Sequence, residues 1–459
     1  MTIFALSSGP GISGVAIVRI SGPKASEVIR LLTGKELPEA RRATLRKINN
    51  INTSELIDEG IIIWFPGPQS YTGEDMAEIH VHGGKAVILA LQREISNIKN
   101  CRLAEPGEFT KLAFQNGKIN LLKAESIADL ISAETEIQRL QALKIMKGKS
   151  SEKFNQLREK LLKLLSFIEA KIDFPEEDLP EENLRRIKQD SINVLNDINK
   201  ILNDQKVGEI IREGFKIAIV GPTNAGKSSL LNNLSNREVA IVSEIAGTTR
   251  DVVETHLNID GYPVIISDTA GIRDSKKTIE KSGINKMFEK LEEVHRIIIV
   301  LSPDSIKIDS VNKLTTLINK RSSKEMVIVF NKSDLNESEK GFCIWKDKIP
   351  ELRKLKSITI SCKNNFDNNN MLKKLYKFIY TNLLSVDTNS DDYYFSEVRQ
   401  IECLKKITEN LQMAIKHIEA LELSSKFLRD AISELDNLYG KHDHENELEI
   451  IFNNFCIGK

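Results

Sequence analysis

The stretch at residues 221–228, which reads GPTNAGKS, constrains the fold of this chain more than any other feature. It fits G-x-x-x-x-G-K-[ST] at every fixed position and directly follows the apolar run FKIAIV, which is typical of a strand. Glycines in this pattern let backbone N–H groups surround phosphates at the start of a helix. We therefore predict a phosphate-binding loop in which Lys227 neutralises phosphate charge and Ser228 binds Mg²⁺.

Two later motifs indicate that the bound base is guanine. NKSD (331–334) follows the apolar run MVIVF, and SCK (361–363) follows KSITI. Asp334 can accept hydrogen bonds from guanine N1 and N2, donors that adenine does not offer, while Asn331 reads the other edge of the base. The SCK loop suits contact with the guanine carbonyl, and Cys362 would contribute through its backbone.

Two more motifs complete the expected order of a GTP-binding domain. DTAG (268–271) follows the run YPVIIS, and GTTRD (247–251) supplies Thr249 as a second hydroxyl for Mg²⁺. Any one motif could be an ordinary turn, but all five in order are poorly explained in that way. The motifs predict GTP contacts from Asn224, Ala225, Gly226, Lys227, Ser228, Ser229, Thr249, Asp268, Thr269, Ala270, Gly271, Asn331, Lys332, Asp334, Ser361, Cys362 and Lys363.

The hydrolytic machinery departs from the common pattern. Many GTPases place a glutamine directly after the DTAG glycine to orient water, but Ile272 stands there and cannot polarise anything. Arg273 and Glu280 are nearby candidates for the missing charge and for positioning the water. Their spacing alone fits solvated loop charges equally well.

Length and composition indicate a soluble protein of several domains. The 459 residues suggest about two to four domains. Lys plus Arg equals Asp plus Glu at 65 each, so any RNA contact must be a local patch. The five cysteines are sparse and lack metal-like spacing, which favours reduced thiols in a cytoplasm. The start of the chain reads as neither a signal peptide nor a membrane span.

The pattern along the chain predicts a multidomain α/β plus α protein. Strand-like runs at 14–21, 59–65 and 76–82 are followed by long helical patterns, then by alternating strands and helices, then by helices again. We predict an α/β domain inserted into a split helical domain. The expected ranges are 1–118 for an N-terminal α+β domain, 119–212 and 383–459 for the helical domain, and 213–382 for the G domain.

The combined motifs resemble the MnmE (TrmE) family of tRNA modification GTPases. The resemblance covers GPTNAGKSSLLN, SEIAGTTRD, DTAGIR, NKSD and the terminal FCIGK, together with GVAIVRISGP, SYTGED, HGG, RLAEPGEFTKLAF and AESIADLI in the N-terminal half. It implies a folate-binding-like N-terminal domain, which also forms a homodimer, and an inserted Ras-like G domain. The implied activity is GTP hydrolysis coupled to wobble-uridine modification of tRNA. A flavin-dependent partner, MnmG, acts with the enzyme in a heterotetramer, and 5-formyltetrahydrofolate or a related folate supplies the one-carbon unit.

The resemblance also implies roles for individual residues. It gives a potassium site formed by Asn224, Ser243, Ile245 and Thr248, and it assigns Glu280 to the attacking water. It also adds one loop to the GTP contacts: Ser243, Glu244, Ile245, Ala246, Gly247 and Thr248. Arg273 matches a family position without a defined role. The folate contacts would be Arg19, Glu78, Lys118 and Lys459, and Cys456 would be a catalytic thiol.

Other interpretations remain open from the sequence. The G motifs alone also fit a ribosome-assembly GTPase or a nucleotide-dependent scaffold, although these leave the N-terminal motifs unexplained. His80 and His82 alternate on a predicted strand, and without a nearby third ligand they are better explained as structural than as a metal pair. The tail ELEIIFNNFCIGK predicts an amphipathic helix ended by Gly458, with Leu448, Ile451, Phe452 and Phe455 on one stripe.

Overall fold

The computed structural model of the chain describes most of its residues. The described residues are 1–9, 11–174, 181–203, 205–235, 240–241, 254–259, 261–268, 291–320, 325–363, 375, 397–440, 448, 451–453, 455 and 457–458. They fall into two compact units. The first, called the N-terminal unit below, comprises Met1–Ala128, Ile145–Val194 and Lys406–Lys459. The second, called the G unit, comprises Asp129–Lys144 and Leu195–Lys405.

The N-terminal unit contains a mixed six-stranded sheet in the order β3-β4-β5-β2-β1-β6. The strands are β1 (Thr2–Leu6), β2 (Ser13–Ser21), β3 (Thr44–Asn49), β4 (Leu56–Phe65), β5 (Met76–Gly83) and β6 (Cys101–Leu103). Residues of β2 and β5 alternate in burial, and the buried set packs against α1 (Ala25–Thr33) and α2 (Lys85–Ser96). The predicted strands at 14–21, 59–65 and 76–82 are confirmed within one to three residues.

Long helices make up the rest of this unit. Helix α6 (Lys149–Asp173) buries Leu157, Leu161, Leu164 and Ile168 at helical spacing, as the sequence predicts. Arg158 on α6 pairs with Asp436 on α13 at 2.8 Å. The helices along the chain, other than α1, α2 and α6, are α3 (Glu108–Gln115), α4 (Leu121–Ser132), α5 (Glu136–Met146), α7 (Glu181–Asn203), α8 (Gln205–Glu213), α9 (Lys227–Ser235), α10 (Ile308–Lys320), α11 (Ser338–Lys348), α12 (Val398–Lys416) and α13 (Leu421–Leu438).

The G unit contains a seven-stranded sheet in the order β13-β12-β11-β7-β10-β9-β8. Its strands are β7 (Phe215–Val220), β8 (Ala240–Ile241), β9 (Glu254–Ile259), β10 (Tyr262–Asp268), β11 (Arg296–Leu301), β12 (Glu325–Phe330) and β13 (Lys356–Thr359). Strands β7 and β10–β13 run parallel, whereas β8 and β9 are antiparallel additions. The central parallel strands are continuous apolar runs because both faces are covered.

The tail differs from its predicted form. Leu448, Phe452 and Phe455 are buried, and Ile451 packs beside them in one apolar cluster, as the predicted stripe requires. The helix does not continue to Gly458, however. Residues 451–453 are helical, but Phe455 lies in a bend and donates its N–H to the Phe452 carbonyl at 3.0 Å, and Ile457 forms an antiparallel bridge with Pro106. A bridge needs extended backbone, which a helix cannot supply.

Within the described part of the chain, no helix is long and apolar enough to cross a membrane.

Candidate functional site

The nucleotide motifs meet at one edge of the seven-stranded sheet. The phosphate-binding loop leaves the carboxyl end of β7, and Asp268 ends the adjacent β10, paired with Ile219. Asn331 follows β12 and donates its backbone N–H to the Leu301 carbonyl at 2.8 Å. Ser361 comes two residues after β13. In parallel sheets this is the edge where loops bind ligands, and GPTNAGKS, NKSD, SCK and the backbone of Asp268 lie on it.

Two glycines allow the loop its close approach to neighbouring backbone. Gly221 has φ of 152°, and a Cβ there would lie 2.2 Å from the Val300 carbonyl oxygen. Gly226 has φ of 91°, and a Cβ there would lie 2.1 Å from Asn331 Nδ2. Any larger residue would push the loop away from β11 or from the NKSD segment. The shape of this cradle fits a phosphate group held by backbone N–H groups.

Lys227 carries the positive charge at the centre of the loop. It is the first residue of α9, and only 9% of it is exposed. Its Nζ donates to the carbonyl oxygens of Gly221 and Pro222 at 3.0 and 2.8 Å. The ammonium therefore lies inside the loop at a helix N-terminus, where both charges favour an anion. Ser228 and Ser229 are exposed on the first turn of α9, and Asn224 is exposed in the loop with φ of 64°.

Asn331 ties three loops together. It is 1% exposed, its Nδ2 donates to the Ala225 carbonyl at 2.9 Å, and its Oδ1 accepts the backbone N–H of Cys362 at 3.1 Å. The phosphate loop and the SCK loop are therefore held in register by one buried amide. The sequence assigned Asn331 a contact with the base, and this bracing role is an addition from the structure.

Asp334 is held as a charged acceptor at the end of the NKSD segment. Ser361 Oγ donates to Asp334 Oδ1 at 2.5 Å. This hydrogen bond is the main reason that the pKa of Asp334 lies below its usual value. The carboxylate therefore stays ionised at neutral pH, as recognition of the two guanine donors requires.

Cys362 contributes to the site through its backbone. Burial raises the pKa of its thiol to about 11, so the thiol is protonated and unreactive at neutral pH. Its carbonyl accepts Asn233 Nδ2 at 3.0 Å, and its N–H bonds Asn331. Lys363 follows with its N–H 3.4 Å from Ser361 Oγ. Lys332 has φ of 63° and pairs with Asp304 at 2.7 Å, outside this network.

Several predicted residues lie outside the described part of the chain. For Asp268 only the backbone is described. The predicted residues that lie wholly outside the described part are Ser243, Glu244, Ile245, Ala246, Gly247, Thr248, Thr249, Thr269, Ala270, Gly271, Arg273, Glu280, Cys456 and Lys459.

A second cluster of predicted residues lies in the N-terminal unit. Arg19 on β2 faces Glu78 on β5 in register, and Arg19 Nη2 lies 2.9 Å from Glu78 Oε1. Both side chains are about 15% exposed (16% and 15%). The Arg19 guanidinium lies 5.5 Å from the ring centre of Tyr71 and 5.8 Å from that of Phe109. The Arg19–Glu78 pair is therefore largely buried, and its guanidinium lies beside two aromatic rings. Together these groups can present charge and a flat apolar surface to one ligand.

Sequence reasoning missed the roles of Tyr71 and Phe109. Both lie in quoted motifs, SYTGED and RLAEPGEFTKLAF, but nothing in their spacing places them beside Arg19. The Tyr71 hydroxyl bonds Thr110 Oγ1 at 2.9 Å, and burial raises its pKa. Lys118 is exposed, and a Cβ on Gly73 would lie 3.5 Å from its Cδ, so it borders the SYTGED loop.

The tail is attached to the same part of the N-terminal unit. Ser7 Oγ, just beyond β1, donates to the Gly458 carbonyl at 2.8 Å. A Cβ on Gly458 would lie 2.2 Å from the Leu6 carbonyl oxygen, and one on Gly107 would lie 2.5 Å from that of Phe452. The tail therefore passes tightly over the loop that leads into Phe109.

His80 and His82, which alternate on the predicted strand, each contact a carboxylate. His80 lies 3.4 Å from Glu78, and His82 lies 2.8 Å from Asp58.

Comparison with protein-family models gives two matches. Residues 2–118 match the model described as GTP-binding protein TrmE N-terminus. Residues 121–456 match the model described as MnmE helical domain.

Comparison with individual proteins gives relatives of the same length. The chain is 58% identical over 464 residues to the tRNA modification GTPase MnmE of Pelagibacter ubique (strain HTCC1062), with 100% of each chain covered. It is 41% identical over 459 residues to the protein of the same name from Rickettsia prowazekii (strain Madrid E), again with 100% of each covered. Among solved structures, Aquifex aeolicus Era matches 43% of this chain and 67% of its own at 26% identity, with a TM-score of 0.28.

Proposed function

Because the chain belongs to the MnmE (TrmE) family of tRNA modification GTPases, we propose that its hydrolysis of GTP drives modification of the wobble uridine in certain tRNAs. The reaction adds an aminomethyl or carboxymethylaminomethyl group to C5 of that base. A tetrahydrofolate derivative, 5-formyltetrahydrofolate or a close relative, supplies the one-carbon unit. The protein acts as a homodimer with the flavin-dependent partner MnmG.

The single observation that carries this proposal is the presence of two separate built sites in one chain. One is the phosphate cradle braced to the guanine loops by Asn331. The other is the Arg19–Glu78 pair beneath Tyr71 and Phe109, next to the docked tail. A GTPase that only assembles or signals has no need for the second site.

In the first site, Lys227 and the loop N–H groups bind the β- and γ-phosphates, and Asp334 selects guanine. Ser228 and Thr249 hold Mg²⁺, which supplies positive charge for the developing negative charge on phosphate oxygens. Ser228 is exposed on the first turn of α9, where its hydroxyl is free to turn toward the metal. The other contacts of the phosphate chain come from residues 243–249 and 268–271.

The catalytic charge comes from a bound monovalent cation. Asn224 and residues Ser243, Ile245 and Thr248 hold K⁺, which supplies the positive charge that an arginine finger supplies in other GTPases. Asn224 supports this role because its left-handed backbone exposes its side chain at the loop surface. Glu280 positions the attacking water in place of the absent glutamine, and Arg273 assists from the same segment.

In the second site, Arg19, Glu78, Lys118 and Lys459 bind the folate. Glu78 accepts from the donor-rich pterin, Arg19 and the lysines meet the carboxylates of the glutamate tail, and the two aromatic rings cover the flat ring system. Cys456 supplies the thiol of this site; support comes from the next residue, Ile457, which the bridge to Pro106 holds against the N-terminal unit.

GTP turnover in potassium and in sodium tests the nucleotide half of the proposal. We expect turnover of the purified protein to be at least about tenfold faster in KCl than in NaCl, because a K⁺ held by Asn224 would supply positive charge for the transition state. Asn224→Ala should remove this difference while leaving turnover in NaCl unchanged. Thr223→Ala, the adjacent loop position, is the matched control and should keep the potassium effect. Equal rates of the unsubstituted protein in both salts would overturn the potassium site.

A further inference from the structure

The N-terminal unit contains a large cavity in which, among the described lining residues, only Lys118 has a role in the proposed function. It has a volume of about 1110 Å³ and is bordered by α3, the start of α4, the turn between α5 and α6, and the end of α13. We propose that this cavity binds the sugar–phosphate backbone of an RNA strand. The inference rests on the proposed function, since the tRNA substrate is the RNA concerned.

The charge of the cavity favours a polyanion. Lys111, Lys118, Lys123 and Lys147 line it, and among its described lining residues there is no Asp or Glu. Within the described structure, no carboxylate forms an ion pair with any of these four ammonium groups. Among the described lining residues there are thus four lysines and no acid, and in a chain whose net charge is zero these lysines form a local positive field. Such a field attracts phosphates, and their binding releases counterions.

The backbone of the cavity adds to this field. Helix α6 begins there, after Gly148, whose φ is 87° and which offers no side-chain cap. The first-turn N–H groups of this 25-residue helix are therefore directed outward at its positive end. The neighbouring polar side chain is already fixed, because Asn120 Nδ2 donates to Ser151 Oγ at 3.1 Å.

The size and the apolar wall of the cavity favour a nucleic acid strand over a single anion. The volume of about 1110 Å³ lies at the upper end of the roughly 300–1,000 Å³ of ordinary small-molecule sites and is larger than one phosphate needs. Phe114 and Met146 are half-buried and provide ring and thioether surface against which an unstacked base can lie, with the buried Tyr439 behind them. The Tyr439 ring is held in place because its hydroxyl donates to the Ser151 carbonyl at 2.7 Å. An acidic peptide would form ion pairs with the lysines but would leave the apolar wall of the cavity without a contact.

Binding of a fluorescent tRNA tests the inference. The probe is an unmodified tRNA transcript with a wobble uridine, and its anisotropy is followed in NaCl from about 50 to 200 mM. The full-length double variant Lys123→Gln/Lys147→Gln is expected to bind about tenfold more weakly than the unsubstituted protein. Its plot of log K against log salt should become less steep, with the magnitude of the slope smaller by about two, one for each lost phosphate contact. The GTP turnover and Tm of the variant should not change.

A matched control removes two lysines from other surfaces of the same unit. Lys163 is exposed about 21 Å along α6 from its start, and Lys99 is exposed after α2. Lys99→Gln/Lys163→Gln should bind tRNA within about twofold of the unsubstituted protein.

Each other outcome overturns the inference. If the Lys123/Lys147 variant matches the control in affinity and slope, the cavity is not the RNA site, and the proposed function stands. If that variant loses only binding of a hexaglutamate peptide, the cavity takes acidic chains instead of RNA. If the unsubstituted protein binds no tRNA, the proposed function fails together with the inference.

Discussion

Replacing Asp334 by asparagine is expected to lower kcat/KM for GTP about 10³-fold and to create turnover of xanthosine triphosphate. In the proposed site the carboxylate accepts from both guanine donors, and the 2.5 Å hydrogen bond from Ser361 lowers its pKa and keeps it charged. An asparagine would place an amide donor against a guanine amino group and leave polar groups of the bound base unpaired, which a recognition site of this kind penalises heavily.

Xanthine reverses this mismatch, because it carries a carbonyl where guanine carries the amino group. The side-chain amide of the Asp334→Asn variant can donate to that carbonyl, and its Oδ1 can still accept from Ser361. Steady-state kinetics with both nucleotides measure the effect. Asp347→Asn, which changes an exposed carboxylate on α11, is the matched control and should hydrolyse GTP as the unsubstituted protein does. Similar loss with both nucleotides would mean that Asp334 supports the fold and does not read the base.

Removing the last four residues, 456–459, is expected to reduce tRNA modification to less than about 1% while GTP turnover stays within about twofold. The truncation takes away Cys456 and Lys459 and, with them, the Ile457 bridge to Pro106 and the Gly458 bond to Ser7. It keeps the apolar anchors Phe452 and Phe455 in their cluster, so the unit should lose only about 1–3 kcal/mol of unfolding free energy.

Single substitutions separate chemistry from packing in the tail. Lys459→Ala should weaken folate binding, and Cys456→Ser should abolish modification without changing folate affinity or Tm. Reconstituted modification with MnmG, followed by nucleoside analysis, provides the measurement, and GTP turnover of the same preparations provides the reference. Normal modification by the truncated protein would show that the tail only packs against the N-terminal unit.

The nucleotide site could be predicted from sequence because its chemistry is local. Residues 221–228 and 331–334 each form a short loop whose conformation depends on its own sequence. Each loop directly follows an apolar strand, as the sequence predicts. The brace between them was not predictable. Asn331 bonds Ala225 across 106 residues, a contact that depends on which strands of the sheet are neighbours.

The second site shows the same limit more strongly. Arg19 and Glu78 were named through the family resemblance, but their ion pair across 59 residues follows from the register of β2 and β5. Tyr71 and Phe109 approach Arg19 only once the sheet has formed. The tail shows a different limit: apolar spacing identified the buried residues, yet the bridge from Ile457 to Pro106 ended the helix early. Periodicity cannot anticipate such a tertiary contact.

Nucleoside mass spectrometry of tRNA tests whether the chain modifies the wobble uridine. Total tRNA would be compared from cells that lack the gene, from cells complemented with the intact chain, and from cells complemented with the Arg19→Ala variant. We expect aminomethyl or carboxymethylaminomethyl uridine to be absent without the gene and to return with the intact chain. It should stay absent with Arg19→Ala, although that variant still hydrolyses GTP. Unchanged wobble nucleosides in cells that lack the gene would contradict this expectation.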